Sequence, residues 1–194
     1  PLRIAAVPNS SEVLVVDFGR ALLQRVDVVA QRVVYATPVG PYPHSVAVSQ
    51  STGTVLVTHL TPDMPATDAL IAAAVSVCAL DNGAVGAVVR LPDGSTGVHG
   101  VAVSGDGRWG YVAHVRGRPG LLTTQLDRGW VMTNALSIID LHTPRYYAGV
   151  LLDNVDRGAA DPWGVASAHN RLWVTLSGVH QVATLDRPTL HRLL

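Results

Sequence analysis

The chain has 194 residues, 48% of them hydrophobic, enough to bury a substantial core in one domain or two. Charged residues make up only 14% and the formal net charge is +0, so no basic surface is set aside for nucleic acid or an anionic membrane. No transmembrane segment is expected, because the apolar, uncharged run Ala69 to Leu80 falls short of the roughly 20 residues a spanning helix needs. It reads as a buried strand with a helical lead-in.

In chain order, short apolar runs separated by turn residues recur in four units. The first opens with Ile4-Ala-Ala-Val7, turns at Pro8 to Ser11 and returns as Glu12-Val-Leu-Val-Val16. A later strand, Arg32-Val-Val-Tyr-Ala-Thr37, leads to the bend Pro38 to Pro43. The second unit is a clearer copy: His44-Ser-Val-Ala-Val-Ser49, the turn Gln50 to Thr52, then Gly53-Thr-Val-Leu-Val-Thr-His59. Val75 to Asp81 and Val85 to Leu91 follow as its third and fourth strands, and the bend Pro92 to Gly97 closes it. The third unit places Gly105-Asp-Gly107, residues that tolerate the positive φ of a tight hairpin, between Gly100-Val-Ala-Val-Ser104 and Trp109-Gly-Tyr-Val-Ala-His114. Leu136 to Leu141 and Tyr147 to Leu152 are its later strands. The fourth has Trp163 to Ala168, the turn His169-Asn170, Arg171 to Leu176 and Gln181 to Asp186, where it stops after three strands.

Taking Ala5, Val46, Val101 and Val165 as equivalent spaces the units by roughly 40 to 65 residues, a basic period lengthened by insertions that marks propeller blades rather than helical repeats. Four short antiparallel strands make one blade. The expected fold is an all-β propeller, one domain over 1–194, with blades near 1–43, 44–98, 99–162 and 163–194, the last incomplete.

Pro43-His-Ser-Val-Ala-Val-Ser49, Leu56-Val-Thr58 and Val75-Ser-Val77 resemble the YVTN-type repeats of bacterial β-propeller proteins. More narrowly, Gln125 to Trp130, Thr133 to Asp140, Leu151 to Val165 and Asp186 to His191 are similar to a subgroup in which some members carry, or sit beside, a di-haem cytochrome c peroxidase-like domain. The resemblance implies a ring of seven blades outside the cytoplasm, in the periplasm or at the cell surface. Four units are then a fragment whose partners include the remaining blades, and a ring cut inside a blade leaves strand edges that promote self-association. The only cysteine, Cys78, precludes an internal disulfide and any C-x-x-C haem-attachment motif in this chain. No cofactor is therefore expected here, and any covalently held haem belongs to an associated domain. Cys78 itself reads as a small core side chain.

Two insertions make blades individual, Leu60 to Leu70 and Val115 to Thr133, and long loops on rigid scaffolds tend to carry function. Trp130 with Arg116, Arg118 and Arg128 has the composition of a protein-docking patch. It also fits a Trp folded over the blade edge beside solvated arginines.

Histidine carries the most chemistry. His44 and His99 stand just before the innermost strands of their units, with Trp163 at that place in the fourth, and propeller geometry gathers such positions at one mouth of the central channel. Imidazoles there could bind a metal, hold an anion when protonated, or act as general acid or base, although the H-x-x-x-H spacing of zinc ligands is absent. His59 and His114 recur at the ends of the second strands, where recurrence equally fits hydrogen bonding within the repeat. Asp153, Asp156 and Asp161 offer three carboxylates in a short loop, suited to calcium or to capping turn N–H groups. Gly105-Asp-Gly-Arg-Trp-Gly110 fits a dinucleotide fingerprint by string only, since a strand follows it rather than a helix.

These readings point to a non-catalytic binding or scaffold module of an extracytoplasmic bacterial protein, engaging a partner through the channel mouth and the 115–133 loop. One alternative is a module of a di-haem cytochrome c peroxidase-like electron-transfer protein, which the resemblance implies. A lyase or hydrolase using His44 and His99 is the other.

Overall fold

The computed structural model describes residues 1–118, 122, 131–154 and 156–194. Four antiparallel sheets follow one another along the chain, each with its strands in sequence order. The first holds β1 (Arg3–Ala6), β2 (Glu12–Asp17), β3 (Leu22–Asp27) and β4 (Arg32–Pro38); the second β5 (Pro43–Ser49), β6 (Thr54–His59), β7 (Ala74–Ala79) and β8 (Val85–Arg90). The third holds β9 (Ser95–Val103), β10 (Trp109–Gly117), β11 (Met132–Asp140) and β12 (Arg145–Leu151); the fourth β13 (Pro162–Ala168), β14 (Arg171–Leu176) and β15 (Gln181–Asp186). Tight hairpins join the two inner strands of each blade, with Asn9, Gly53, Gly107 and His169 in the left-handed region, where Gly and short polar residues bear the strain best.

The core lies between blades rather than within them. Val55 and Val57 of β6 pack towards the first blade with Leu14, Val16 and Leu23, whereas Leu56 packs towards the third with Val101, Val112 and Ile139. On β10, Val112 faces the second blade, while Tyr111 and Ala113 join Leu172 and Val174 of the fourth. Strands buried on both faces read as continuous apolar runs, which is why the middle strands of the second and third blades show little alternation.

A polar latch ties the first two blades together. Arg25 on β3 is paired with Glu12 on β2 and donates from its guanidinium to the Leu80 carbonyl at 2.8 Å, and the Tyr35 hydroxyl donates to the same carbonyl at 3.2 Å. Replacing Arg25 with methionine keeps the stem and strands the acceptors, so it is expected to cost about 2 kcal/mol, the range for hydrogen bonds to a charged group. A urea midpoint unchanged from the parent would dismiss the latch.

Several expectations change. Residues 69–73 are not helical; Ala73 N–H donates to the Ser95 carbonyl and Leu91 N–H to the Ala73 carbonyl, so the lead-in to β7 runs extended between its neighbours. The 115–133 insertion is shorter than its sequence suggests, because β10 and β11 stay paired through Arg116↔Thr133 and Gly117↔Met132. Arg116 is thus a strand residue. β9 begins at Ser95, inside the segment read as a bend, because Ser95 and Thr96 pair with that extended hairpin. The chain beyond β15 forms a helix, α1 (Arg187–Leu193), capped by the Asp186 carboxylate accepting from Thr189 N–H at 2.9 Å. Its Leu190 is buried with Tyr111, Leu136 and Leu172 in the cluster between the third and fourth blades. Among the described residues no helix is long and apolar enough to cross a membrane.

Candidate functional site

The innermost strands β1, β5, β9 and β13 lie side by side about one axis, and the backbone breaks its regular pairing where they begin. Pairing slips between Pro43 and Ser45, between Pro162 and Val165, and opposite His114 in β9. A bulge of this kind leaves a residue unpaired and re-aims its side chain. His44, Trp163 and His99 occupy those slips. Residues two positions earlier, Tyr42, Asp161 and Gly97, all have φ between 52° and 60°, so the three blades turn in by the same device. Second-strand threonines hold two of the bulges open: Thr58 Oγ1 accepts from Ser45 N–H at 3.0 Å and Thr175 Oγ1 from Gly164 N–H at 2.7 Å.

The result is an aromatic cluster drawn from three blades. The His99 ring stacks on the Trp163 indole with centroids 3.9 Å apart and planes 13° from parallel, and His44 meets His99 edge-on at 4.9 Å. His44 Nδ1 lies 3.2 Å from the His99 carbonyl, which assigns its proton to Nδ1. His44 Nε2 is then free to accept from His99 Nδ1–H, a long contact of 3.5 Å. That leaves His99 Nε2 as an open acceptor, 4.0 Å from an Asp161 carboxylate oxygen.

Both imidazoles are held below the ordinary histidine pKa. Burial is the main cause for each; for His44 the neighbouring His99 adds to it, against its hydrogen bond to the His99 carbonyl. For His99 the Asp161 carboxylate pulls the other way, and the Arg3 guanidinium depresses both residues. Arg3 on β1 is the member that sequence reading missed. The signal was present, since Arg3 stands two residues before Ala5 as His44, His99 and Trp163 stand before Val46, Val101 and Val165. One residue per blade thus lines the mouth: a guanidinium, two neutral imidazoles and an indole. Such a set can stack against a flat group, donate to an anion through Arg3 and accept a hydrogen bond at His99 Nε2.

The other sequence candidates fall elsewhere. Asp153 accepts from Asn134 N–H at 2.5 Å, from the Asn134 amide at 3.1 Å and from Ala159 N–H at 2.8 Å, so it ties β11 to the loop after β12. Asp156 is exposed in a turn whose N–H groups are capped by Asn154. Asp161 stands at the mouth and accepts from the Ser177 hydroxyl at 2.5 Å. Among the described residues no three His, Cys, Asp or Glu side chains gather as metal ligands. His59 and His114 each reach across to the third strand of their own blade, with Nε2 2.8 Å from Ser76 Oγ, which donates to the Val39 carbonyl at 3.0 Å, and 2.7 Å from Ser137 Oγ. Their Nδ1 atoms bond the carbonyls of Pro41 at 2.7 Å and Val115 at 3.1 Å. Arg116 and Arg118 lie on the third blade, while Trp130 and Arg128 are outside the described residues.

No protein-family model and no curated protein sequence matches the chain. Solved structures do. Hydrazine synthase of Kuenenia stuttgartiensis superposes with a TM-score of 0.84 at 22% identity, over 98% of this chain and 53% of that one. A functionally unknown protein of Desulfotomaculum acetoxidans gives 0.62 at 12% identity, over 91% and 47%. The dihydro-heme d1 dehydrogenase NirN, solved in complex with DHE, gives 0.59 at 19% identity, over 95% and 34%. This chain therefore spans about half the length, or less, of the structures it matches, and what the likeness establishes is the fold, a β-propeller.

Proposed function

We propose that the chain is a non-catalytic binding and scaffold module of an extracytoplasmic bacterial protein of the YVTN-repeat kind, which engages a protein partner through the mouth of its channel and the 115–133 loop. The observation that supports this reading most is the set Arg3, His44, His99 and Trp163, one residue per blade at one repeat position, with the His99 and Trp163 rings stacked at 3.9 Å. A repeat needs no such convergence to fold, and the four side chains differ in chemistry, as a recognition surface requires. Trp163 remains 39% exposed, an aromatic anchor open to contact.

A photo-crosslinking amino acid placed at Leu2, beside Arg3, tests this in the native cell envelope, with the outer turn residue Val29 as control. A discrete adduct from position 2 and none from position 29 is the expected result. Equal labelling, or none, removes the reading. The second reading is a propeller module linked to a haem-handling electron-transfer protein, the haem being held in an associated domain. It draws on the sequence resemblance and on the haem substrate named for NirN. A crosslinked adduct that stains for haem peroxidase activity would move that reading to first place.

A further inference from the structure

The second and third blades each carry a small recess at the C-terminal end of the second strand, about 100 Å³ and about 120 Å³ in volume. Because the blades are repeats, the two recesses compare position by position. Both have the buried histidine, His59 or His114, bonded to the third-strand serine, Ser76 or Ser137. That floor belongs to the scaffold. The rims differ. In the second blade Thr61, Asp63 and Arg90 line the opening, one acidic and one basic group. Counting from the histidine, Thr61 and Asp63 become Arg116 and Arg118 in the third blade, and by strand pairing Arg90 becomes Leu151 and Val88 becomes Gly149.

The net change favours negative charge: Asp63 and Arg90 offset each other in the second blade, whereas the third has two guanidinia even though Leu151 replaces Arg90. Arg116 is fixed on β10, its Nε donating to the Asp93 carbonyl at 3.0 Å, and the Asp93 carboxylate is itself occupied by Ile71 N–H at 2.9 Å. Among the described residues no carboxylate lines this recess. Gly149 supplies the space that Val88 fills in the second blade. A Cβ there would stand 2.8 Å from the Tyr146 hydroxyl and 3.7 Å from Ser137 Oγ, so the bare backbone lets the phenol reach the opening. Two guanidinia and a hydroxyl around a concave polar floor are the donors that recognise oxyanions, the guanidinium fork matching carboxylate and phosphate alike.

We propose that the recess between Arg116, Arg118 and Tyr146 binds an oxyanion, a carboxylate or phosphate carried by a ligand or partner. None of the residues lining this recess belongs to the mouth set of Arg3, His44, His99 and Trp163, but Arg116 and Arg118 lie in the 115–133 loop, so the site deepens that part of the proposed docking surface. Titration calorimetry on the protein with inorganic phosphate and with acetate, at an ionic strength held constant with chloride, tests the proposal. Saturable binding is expected, weakened at least roughly tenfold by Arg118→Asp, which installs the charge of Asp63. Gly149→Val, which installs the Val88 side chain without touching charge, is expected to weaken it likewise, and Val29→Ala, on an exposed turn of the first blade, to leave it unchanged. Tighter phosphate binding would mark a phosphorylated ligand, and tighter acetate binding a carboxylate. Heats reproduced by chloride alone, or binding untouched by both recess variants in proteins with parental circular dichroism, would overturn it.

Discussion

Gly100→Ala lowers the unfolding temperature by roughly 6–12 °C, the shift that about 3 kcal/mol of overpacking produces in a chain of this size. Gly100 lies on β9 where the third and fourth blades press their innermost backbones together. An added Cβ would sit 2.3 Å from the Trp163 carbonyl oxygen and 3.0 Å from Val165 N. Both are backbone atoms, so neither can swing aside, and β13 must move as a unit. Because Trp163 rides on β13, the His99–Trp163 stack opens with it, and the near-ultraviolet circular dichroism should lose intensity before any unfolding. Gly105 provides the control: a Cβ there meets nothing within 4 Å, so Gly105→Ala should change stability by under about 1 kcal/mol. Scanning calorimetry of the two variants decides the matter, and equal melting temperatures would refute the close approach of the two blades.

Acidification from about pH 6.5 to pH 4 costs the protein about 3 kcal/mol through His114 alone. The residue has no measurable exposure, and burial lowers its pKa from 6.5 to about 4, with the Val115 carbonyl opposing and Arg116 adding to the depression. The folded pKa lies below the unfolded one, so between the two the unfolded chain binds the extra proton and stability falls as pH falls. Above pH 6.5 both states are neutral and this contribution is flat; below pH 4 both are charged and it is flat again. A difference of about 2.5 units at about 1.36 kcal/mol each gives the magnitude. His44, His59, His99 and His191 are depressed as well, so the parental slope contains more than one histidine. The measurement is therefore a difference: urea midpoints from pH 4 to 8 for the parent and for His114→Gln, whose amide keeps a partner for Ser137. A variant with the same slope as the parent would show that His114 titrates unperturbed.

How far these features could be read from residues alone varied with their range. The strands of the second and third blades were legible because each carries a local signal, an apolar run bounded by turn residues, and because the units repeat it. The third strand of the first blade, Leu22–Asp27, went unread even though it ends in the same apolar-Asp pattern as Leu136 to Asp140 and Gln181 to Asp186. Its polar Gln24 and Arg25 mask the run, and Arg25 is explained only by its reach to Leu80 on the next blade. Helix α1 carried a readable cap in Asp186-Arg-Pro-Thr189. What made a helix stable there is the burial of Leu190 against Tyr111 and Leu172 from two different blades, which no local pattern encodes. Among the candidate site residues, His44, His99 and Trp163 followed from repeat position, whereas Asp153, Asp156 and Asp161 looked like one loop cluster and were separated by a turn that sends only Asp161 to the mouth.

By itself the sequence determined the repeat, its strands and turns, and which residue each blade offers at each position, because those depend on hydrophobic runs and turn chemistry spanning a few neighbours. Tertiary structure decided which offered residues meet. The approach of Trp163 to His99 depends on backbone bulges, on a glycine that lets two blades touch, and on the rotation from one blade to the next. The contrast between the recesses around His59 and His114 depends on β10 and β11 staying paired past the point where the sequence reads as loop. Both are products of contacts between distant segments, whose free energies are set only when the whole arc of sheets is packed.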